Sequence, residues 1–233
     1  MIIAIDGPAG AGKSTVCNIL AERLGFVYLD TGAMYRAVAW AFNEAAAKSG
    51  RQSKASPGDK HFREMLGRIP LLFSIKENRL EIACGGRLLV EELRSPEMSE
   101  EASRISRLPA VREFLVGWQR KLAEQGNIVA EGRDTATVVF PKADLKVFLT
   151  ADLQTRAKRR FEEYIAKGVR LPLEEIQSLI QERDEADSKR DYSPMRPAEG
   201  AVLLDTSQLR VEEVVDRLSE QVNSLIGAGS SAH

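Results

Sequence analysis

Eight residues near the start of the chain constrain its fold more than any others. Gly7-Pro8-Ala9-Gly10-Ala11-Gly12-Lys13-Ser14 fits the pattern G-x-x-x-x-G-K-[ST]. The apolar run Ile2–Ile5 precedes it, and the helix-period segment Lys13–Leu24 follows. Strand, glycine-rich turn and helix in that order make a phosphate cradle. The glycines let successive backbone N–H groups converge on phosphate oxygens, and the helix N-terminus adds its positive end. Lys13 would supply a point charge at the β and γ phosphates of a nucleotide, and the Ser14 hydroxyl would ligate Mg²⁺. The guanine-reading N-K-x-D is missing, since none of Asn18, Asn43, Asn78, Asn127 and Asn223 begins it. No D-x-x-G occurs either, which argues against a GTP switch.

The rest of the chain repeats the strand-then-helix rhythm. Ile2–Ile5, Val27–Leu29, Ile128–Ala130, Leu145–Leu149 and Ala201–Leu204 read as strands buried on both faces. Helical patterns fall near 13–24, 32–47, 109–125, 153–167, 173–190 and 211–226. The alternation predicts an α/β fold, a three-layer α/β/α core around a five-stranded parallel sheet. Lys48–His61 is polar and carries Pro57-Gly58, so it reads as an exposed connection. Beyond it Leu71, Phe73 and Ile75, then Leu80, Ile82 and Cys84, alternate with other residues between turn signals. That is a small antiparallel meander, and 60–105 reads as an inserted lobe. The core is then 1–59 with 106–226, and 227–233 is a flexible tail.

Several arginines are placed to meet a second phosphate. On a helix through 173–190, Ile176, Leu179, Ile180, Arg183, Asp187 and Arg190 project within about 100° of arc. The inward stripe is therefore apolar at first and charged later, as expected of a helix whose second half lines a cleft. Arg156, Arg159 and Arg160 cluster at helical spacing. Arg133 follows the strand Ile128–Ala130, where open α/β sheets bind ligands, and Arg36 lies one turn past Asp30-Thr31-Gly32. Converging cations suit an anionic transition state shared by two phosphorylated substrates.

Composition narrows the function classes. The 233 residues carry a formal net charge of -1, so no global field draws the chain to nucleic acid or anionic lipid. Cys17 and Cys84 have no neighbouring ligand residues and read as small buried thiols. The N-terminus shows no signal-peptide pattern and no later run could span a bilayer, so the expected compartment is the cytoplasm. His61 and His233 are the only histidines. A phosphate acceptor needs none: its second pKa is about 6, so at neutral pH it is already a nucleophile.

Together these motifs resemble the bacterial-type cytidylate kinases, within the nucleoside monophosphate kinases of the P-loop class. The resemblance runs from Gly7–Ser14 and Asp30-Thr31-Gly32-Ala33-Met34-Tyr35-Arg36 to Glu131-Gly132-Arg133-Asp134 and Thr137-Val138-Val139-Phe140-Pro141. It continues through Arg156-Ala157-Lys158-Arg159-Arg160, Arg183-Asp184, Arg190, Ser193-Pro194-Met195 and Leu204-Asp205-Thr206. It implies that ATP lies on Gly7–Ser14 and Thr15, beneath a short lid near 153–170 carrying Arg156, Arg159 and Arg160. Lys13, Arg133, Arg183 and Arg190 would be catalytic. CMP or dCMP would be held by Thr31, Arg36, Arg133, Arg183, Asp187 and Arg190, with Ser103, Arg112 and Asp134 reading cytosine. Mg²⁺ would accompany ATP at Ser14, and a monomer suffices. On the residues alone, UMP, AMP or a small metabolite remain alternative acceptors, and Ser103 and Arg112 read as an exposed helix pair. The sequence departs from the resemblance at Glu131, where many relatives have Asp, at Ala136, often glycine, and at Glu199-Gly200.

Overall fold

The computed structural model describes residues 1–48 and 59–230. In chain order the elements are β1 (Ile2–Asp6), α1 (Lys13–Leu24), β2 (Val27–Asp30), α2 (Thr31–Lys48), α3 (Asp59–Leu66), β3 (Leu71–Lys76), β4 (Arg79–Cys84) and β5 (Arg87–Leu88). There follow α4 (Pro96–Ile105), α5 (Pro109–Ala123), β6 (Ile128–Gly132), β7 (Leu145–Thr150), α6 (Leu153–Ala166), α7 (Leu173–Ser188), β8 (Val202–Asp205) and α8 (Val211–Ser230). A π turn spans Thr135–Val139. The chain divides into two compact units, Met1–Tyr28 with Asn127–His233, and Leu29–Gly126.

The first unit is built on strands in the order β6-β1-β7-β8. All three pairings are parallel, with Ile3 opposite Val129 and Leu145, and Val147 opposite Val202. Ile3, Ala4 and Ile5 are fully buried because β1 is covered on both faces, which is why it reads as an unbroken apolar run. Val16, Cys17 and Leu20 of α1 pack with Val214, Val215, Leu218 and Val222 of α8 over Val129, Val147 and Leu149. A separate small core, Ala157 with Ile176 and Ile180, joins α6 to α7.

The second unit holds the expected antiparallel meander, β3 with β4 and β4 with β5. Leu71 and Phe73 are buried while Leu72 between them is 55% exposed, the period of a half-buried strand. Glu77 and Asn78 both take positive φ and form the two-residue turn between β3 and β4. The core is aromatic, with Phe42 of α2 against Phe62 of α3 at 3.9 Å and Phe73 edge-on to Trp118 of α5 at 5.4 Å.

Four sequence expectations are corrected. Helix α7 stops at Ser188, so Arg190 lies beyond it; the chain turns back there, and the Met195 N–H donates to the Asp187 carbonyl at 2.9 Å. Leu179 is 46% exposed and leaves the inward stripe, which keeps Ile176, Ile180 and Asp187. Cys84 is only half-buried, whereas Cys17 is buried in the core of the first unit. Helix α8 continues to Ser230, past the expected end at 226, because Gly227 and Gly229 do not offset an already formed 16-residue helical run. The expected connection Lys48–His61 falls mostly on 49–58, and 231–233 on the tail; both lie outside the described residues.

Candidate active site

The phosphate cradle begins where β1 ends. Gly7 has φ +148°, and a β-carbon there would lie 2.0 Å from the Leu149 carbonyl oxygen. At Gly10, φ is +75° and a β-carbon would meet the Arg156 carbonyl oxygen at 2.9 Å. Only glycine lets this loop pass so close to β7 and α6. Lys13, in the first turn of α1, is 6% exposed, and its ammonium donates to the Pro8 carbonyl at 2.7 Å. Burial lowers its pKa to about 7; Arg133 and Arg183 add to that effect, and Glu131 opposes it. Ser14 and Thr15 are exposed at the helix start.

Glu131, the last buried residue of β6, accepts from the Ser14 hydroxyl at 3.0 Å and from the Tyr28 hydroxyl. This replaces the shorter carboxylate of the resemblance, and the extra methylene reaches both hydroxyls. A serine hydroxyl beside a buried carboxylate is a hard-oxygen donor set, which fits Mg²⁺.

The predicted lid arginines divide. Arg156 is 9% exposed and donates from Nε to the Ala151 carbonyl at 2.9 Å and from Nη1 to the Ala9 carbonyl at 3.1 Å. It also pairs with Asp184, whose other oxygen accepts from the Ala9 N–H at 3.1 Å. Arg159 reaches the Thr206 hydroxyl at 3.0 Å and its carbonyl at 2.7 Å, and Thr206 donates to the Ala11 carbonyl at 3.2 Å. Both arginines thus touch the cradle or its support. Arg160 instead pairs with Glu163 at 2.8 Å and covers the Tyr164 ring.

Around α7 the cations converge on one carboxylate. Asp187 is 1% exposed; Arg133 donates to it from Nε at 3.0 Å, and Arg190 pairs with its other oxygen. Burial pushes the Asp187 carboxyl up, but Arg133, Arg190 and Arg183 together outweigh it and hold the group below the usual carboxylate range. Arg133 and Arg183 also act on Lys13, so the lysine and three arginines share one electrostatic site. Asp134 is 6% exposed in the turn after β6.

Four predicted acceptor residues belong to the second unit. Thr31 is buried at the start of α2, and Arg36 one turn on pairs with Asp30 at 2.9 Å. The other Asp30 oxygen accepts from the Ala33 N–H at 2.8 Å and anchors that first turn. Arg112 is 4% exposed, contrary to the exposed-helix expectation: it donates to the Ser106 carbonyl at 3.3 Å and lies 5.9 Å from the Tyr35 ring centre. Ser103 is half-buried, and its carbonyl accepts from the Ser106 hydroxyl at 2.7 Å.

Sequence reasoning missed the groups that hold the site rather than form it: Asp6, Tyr28, Asp30 and Asp184. An aspartate ending an otherwise apolar strand directly before the glycine loop was the one available signal for Asp6. Tyr28 and Asp184 pair across long sequence separations, with Glu131 and Ala9, and local patterns do not report such contacts, whereas Asp30 serves Ala33 and Arg36 within its own turn.

The profile of the cytidylate kinase family matches residues 3–224. The cytidylate kinase of Carboxydothermus hydrogenoformans is 44% identical over 220 residues, covering 94% of this chain and 96% of its own. That of Thermotoga maritima is 43% identical with the same coverage. Among solved structures, a shikimate kinase from Acinetobacter baumannii is 15% identical with a TM-score of 0.45, covering 96% of this chain and 93% of that one, too distant to inform the site. With the phosphate cradle and the guanidinium cluster in place and the family profile spanning nearly all its length, this chain belongs to the cytidylate kinase family.

Proposed function

We propose that the chain transfers the γ-phosphoryl group of ATP to CMP or dCMP, giving ADP and CDP or dCDP. The observation that carries this reading is the buried Asp187 held between Arg133 and Arg190, in the same electrostatic site as Lys13 and Arg183. Two carboxylates, Asp187 and Glu131, among four basic side chains leave positive charge for the phosphates of donor and acceptor. Phosphoryl transfer demands such neutralisation and alignment more than it demands a base.

In this reading Gly7–Thr15 cradle the ATP phosphates, and Lys13 with Arg133, Arg183 and Arg190 neutralises charge as it develops on the transferred group. Mg²⁺ bound with ATP would be held through the Ser14 hydroxyl, with Glu131 behind it, and would supply charge neutralisation at the phosphates. Arg156 and Arg159 would add lid contacts to the triphosphate, with Arg160 as a third, within the proposed lid near 153–170. Thr31, Arg36, Arg133 and Arg190 are assigned to the acceptor phosphate and its surroundings, and Arg183 and Asp187 to the ribose and the phosphate path. Ser103, Arg112 and Asp134 are assigned to the base. A carboxylate at Asp134 suits the exocyclic amine of cytosine, and a guanidinium suits N3 and O2. The 60–105 lobe is proposed to bind the monophosphate. No described helix is long and apolar enough to cross a membrane, and the proposal places a monomer in the cytoplasm.

A coupled assay of diphosphate formation across the common nucleoside monophosphates tests the reading. CMP and dCMP should lead the panel. Equal rates with UMP or AMP would refute the assignment of acceptor while leaving the kinase chemistry standing.

A further inference from the structure

Asp6 is a buried carboxylate that the proposed chemistry does not use. It is 1% exposed, ends β1, and immediately precedes Gly7 of the phosphate cradle. In the parallel register it lies opposite Gly132, the residue before Arg133. Both of its oxygens are engaged. Oδ1 accepts from the Thr135 N–H at 2.8 Å and the Thr135 hydroxyl at 2.6 Å, and Oδ2 accepts from the Ala136 N–H at 2.8 Å.

Those donors belong to the π turn Thr135–Val139, whose own ladder begins with the Val139 N–H donating to the Asp134 carbonyl at 3.3 Å and the Phe140 N–H to the Thr135 carbonyl at 2.7 Å. The first amides of such a turn have no partner within it, and an anion satisfies them better than a neutral group. Asp134 itself, at φ -149° and ψ 23°, is in neither strand nor helix. Its direction depends on β6 before it and on the two residues after it, and both of those are tied to Asp6.

Keeping a charge here is costly. Burial raises the Asp6 pKa, and the nearby Asp134 carboxylate raises it further, against the hydrogen bonds that lower it. A neutral cap would avoid most of that cost, so the carboxylate serves more than packing. We propose that Asp6 is a positioning residue for acceptor recognition, holding the turn that presents Arg133 and Asp134 in a fixed relation to the phosphate cradle. The proposal rests on the reading of Asp134 as a base contact, and the test below separates the two.

Asp6→Asn keeps the volume. Its carbonyl can serve the Thr135 donors, but its amide then faces the Ala136 N–H, donor against donor. Thr135→Val removes only the hydroxyl bond. For each variant, kcat/KM is measured with CMP and with UMP, and the MgATP Kd by equilibrium titration, with Asp134→Asn alongside. Asp6→Asn should lower kcat/KM for CMP at least tenfold, cut the CMP-over-UMP preference at least fivefold, and leave the MgATP Kd within twofold. Thr135→Val should move the same quantities in the same direction by less. If Asp134→Asn narrows the preference but Asp6→Asn leaves it unchanged, the proposal falls and the base reading stands. If Asp134→Asn leaves it unchanged, the base reading falls and takes this proposal with it. Equal losses in MgATP and CMP binding would make Asp6 a support of the cradle alone and overturn the proposal. If Asp6→Asn does not fold, Thr135→Val decides, and an unchanged preference there overturns it.

Discussion

Replacing Lys13 by methionine should remove turnover and make the ligand-free protein more stable. The fall in its pKa from 10.5 to about 7 means that the folded protein disfavours the ammonium. At about 1.36 kcal/mol per pH unit that is roughly 5 kcal/mol, acting against folding wherever the lysine is charged in the unfolded chain. Methionine loses the bond from Nζ to the Pro8 carbonyl, which returns about 1 kcal/mol. The net expectation is a gain of about 2–4 kcal/mol at pH 7. Because the folded pKa lies below the unfolded one, the penalty is complete below pH 7 and fades as pH rises toward 10.5. The gap between variant and wild type should therefore shrink by roughly 2 kcal/mol between pH 7 and pH 9. Urea unfolding of both proteins at the two pH values measures it, and other titrating groups cancel in the difference. Triphosphate binding should restore the ammonium. Calorimetry at pH 8 in buffers of different ionisation enthalpy should then show uptake of nearly one proton in wild type and none in the variant. A variant no more stable than wild type, or a gap that does not change with pH, would refute the argument. So would proton uptake that survives the substitution. Turnover in the variant should fall at least a hundredfold, about 2.7 kcal/mol of transition-state stabilisation.

Further outcomes follow from the same geometry. Arg183→Ala and Arg190→Ala should each cut kcat/KM for CMP at least tenfold, about 1.4 kcal/mol. Arg190→Ala should also lower the Tm, because its side chain is 6% exposed and paired with Asp187, whereas the half-buried Arg183 should cost less. Asp187→Asn should destabilise by about 3 kcal/mol at pH 7, since it leaves Arg133 and Arg190 uncompensated. The Asp187 pKa is held below its ordinary 3.8, so that loss should be present in full above pH 4 and shrink as pH falls toward the folded value, read as a smaller difference by unfolding at pH 3 than at pH 7. Gly7→Ala should lower stability by more than about 3 kcal/mol by urea unfolding, because its β-carbon would sit 2.0 Å from the Leu149 carbonyl oxygen.

The sequence by itself determined the strand-and-helix alternation, the phosphate cradle and the family. These are local or one-dimensional signals: an unbroken apolar run for a strand buried on both faces, a helical period, and a glycine pattern with one physical use. The five expected core strands were each placed to within a residue or two, although the sheet counts eight strands among the described residues rather than five, and Leu71 and Phe73 announced the meander. The helices α3 and α4 were not seen, since at eight and ten residues each is too short to be stable alone and depends on the packing of the lobe around it. Only the tertiary structure decided which charges are buried and with whom. Arg190 leaves its helix yet stays in the cluster through Asp187, and Arg160, adjacent to Arg159, turns instead to Glu163 and Tyr164. Arg112 is buried where the sequence suggested exposure, and Asp6 and Asp184 hold the loops through partners more than 120 residues away. A side chain's direction depends on the packing of elements distant in sequence, and a carboxylate's cost or benefit depends on the groups that packing brings within a few ångströms.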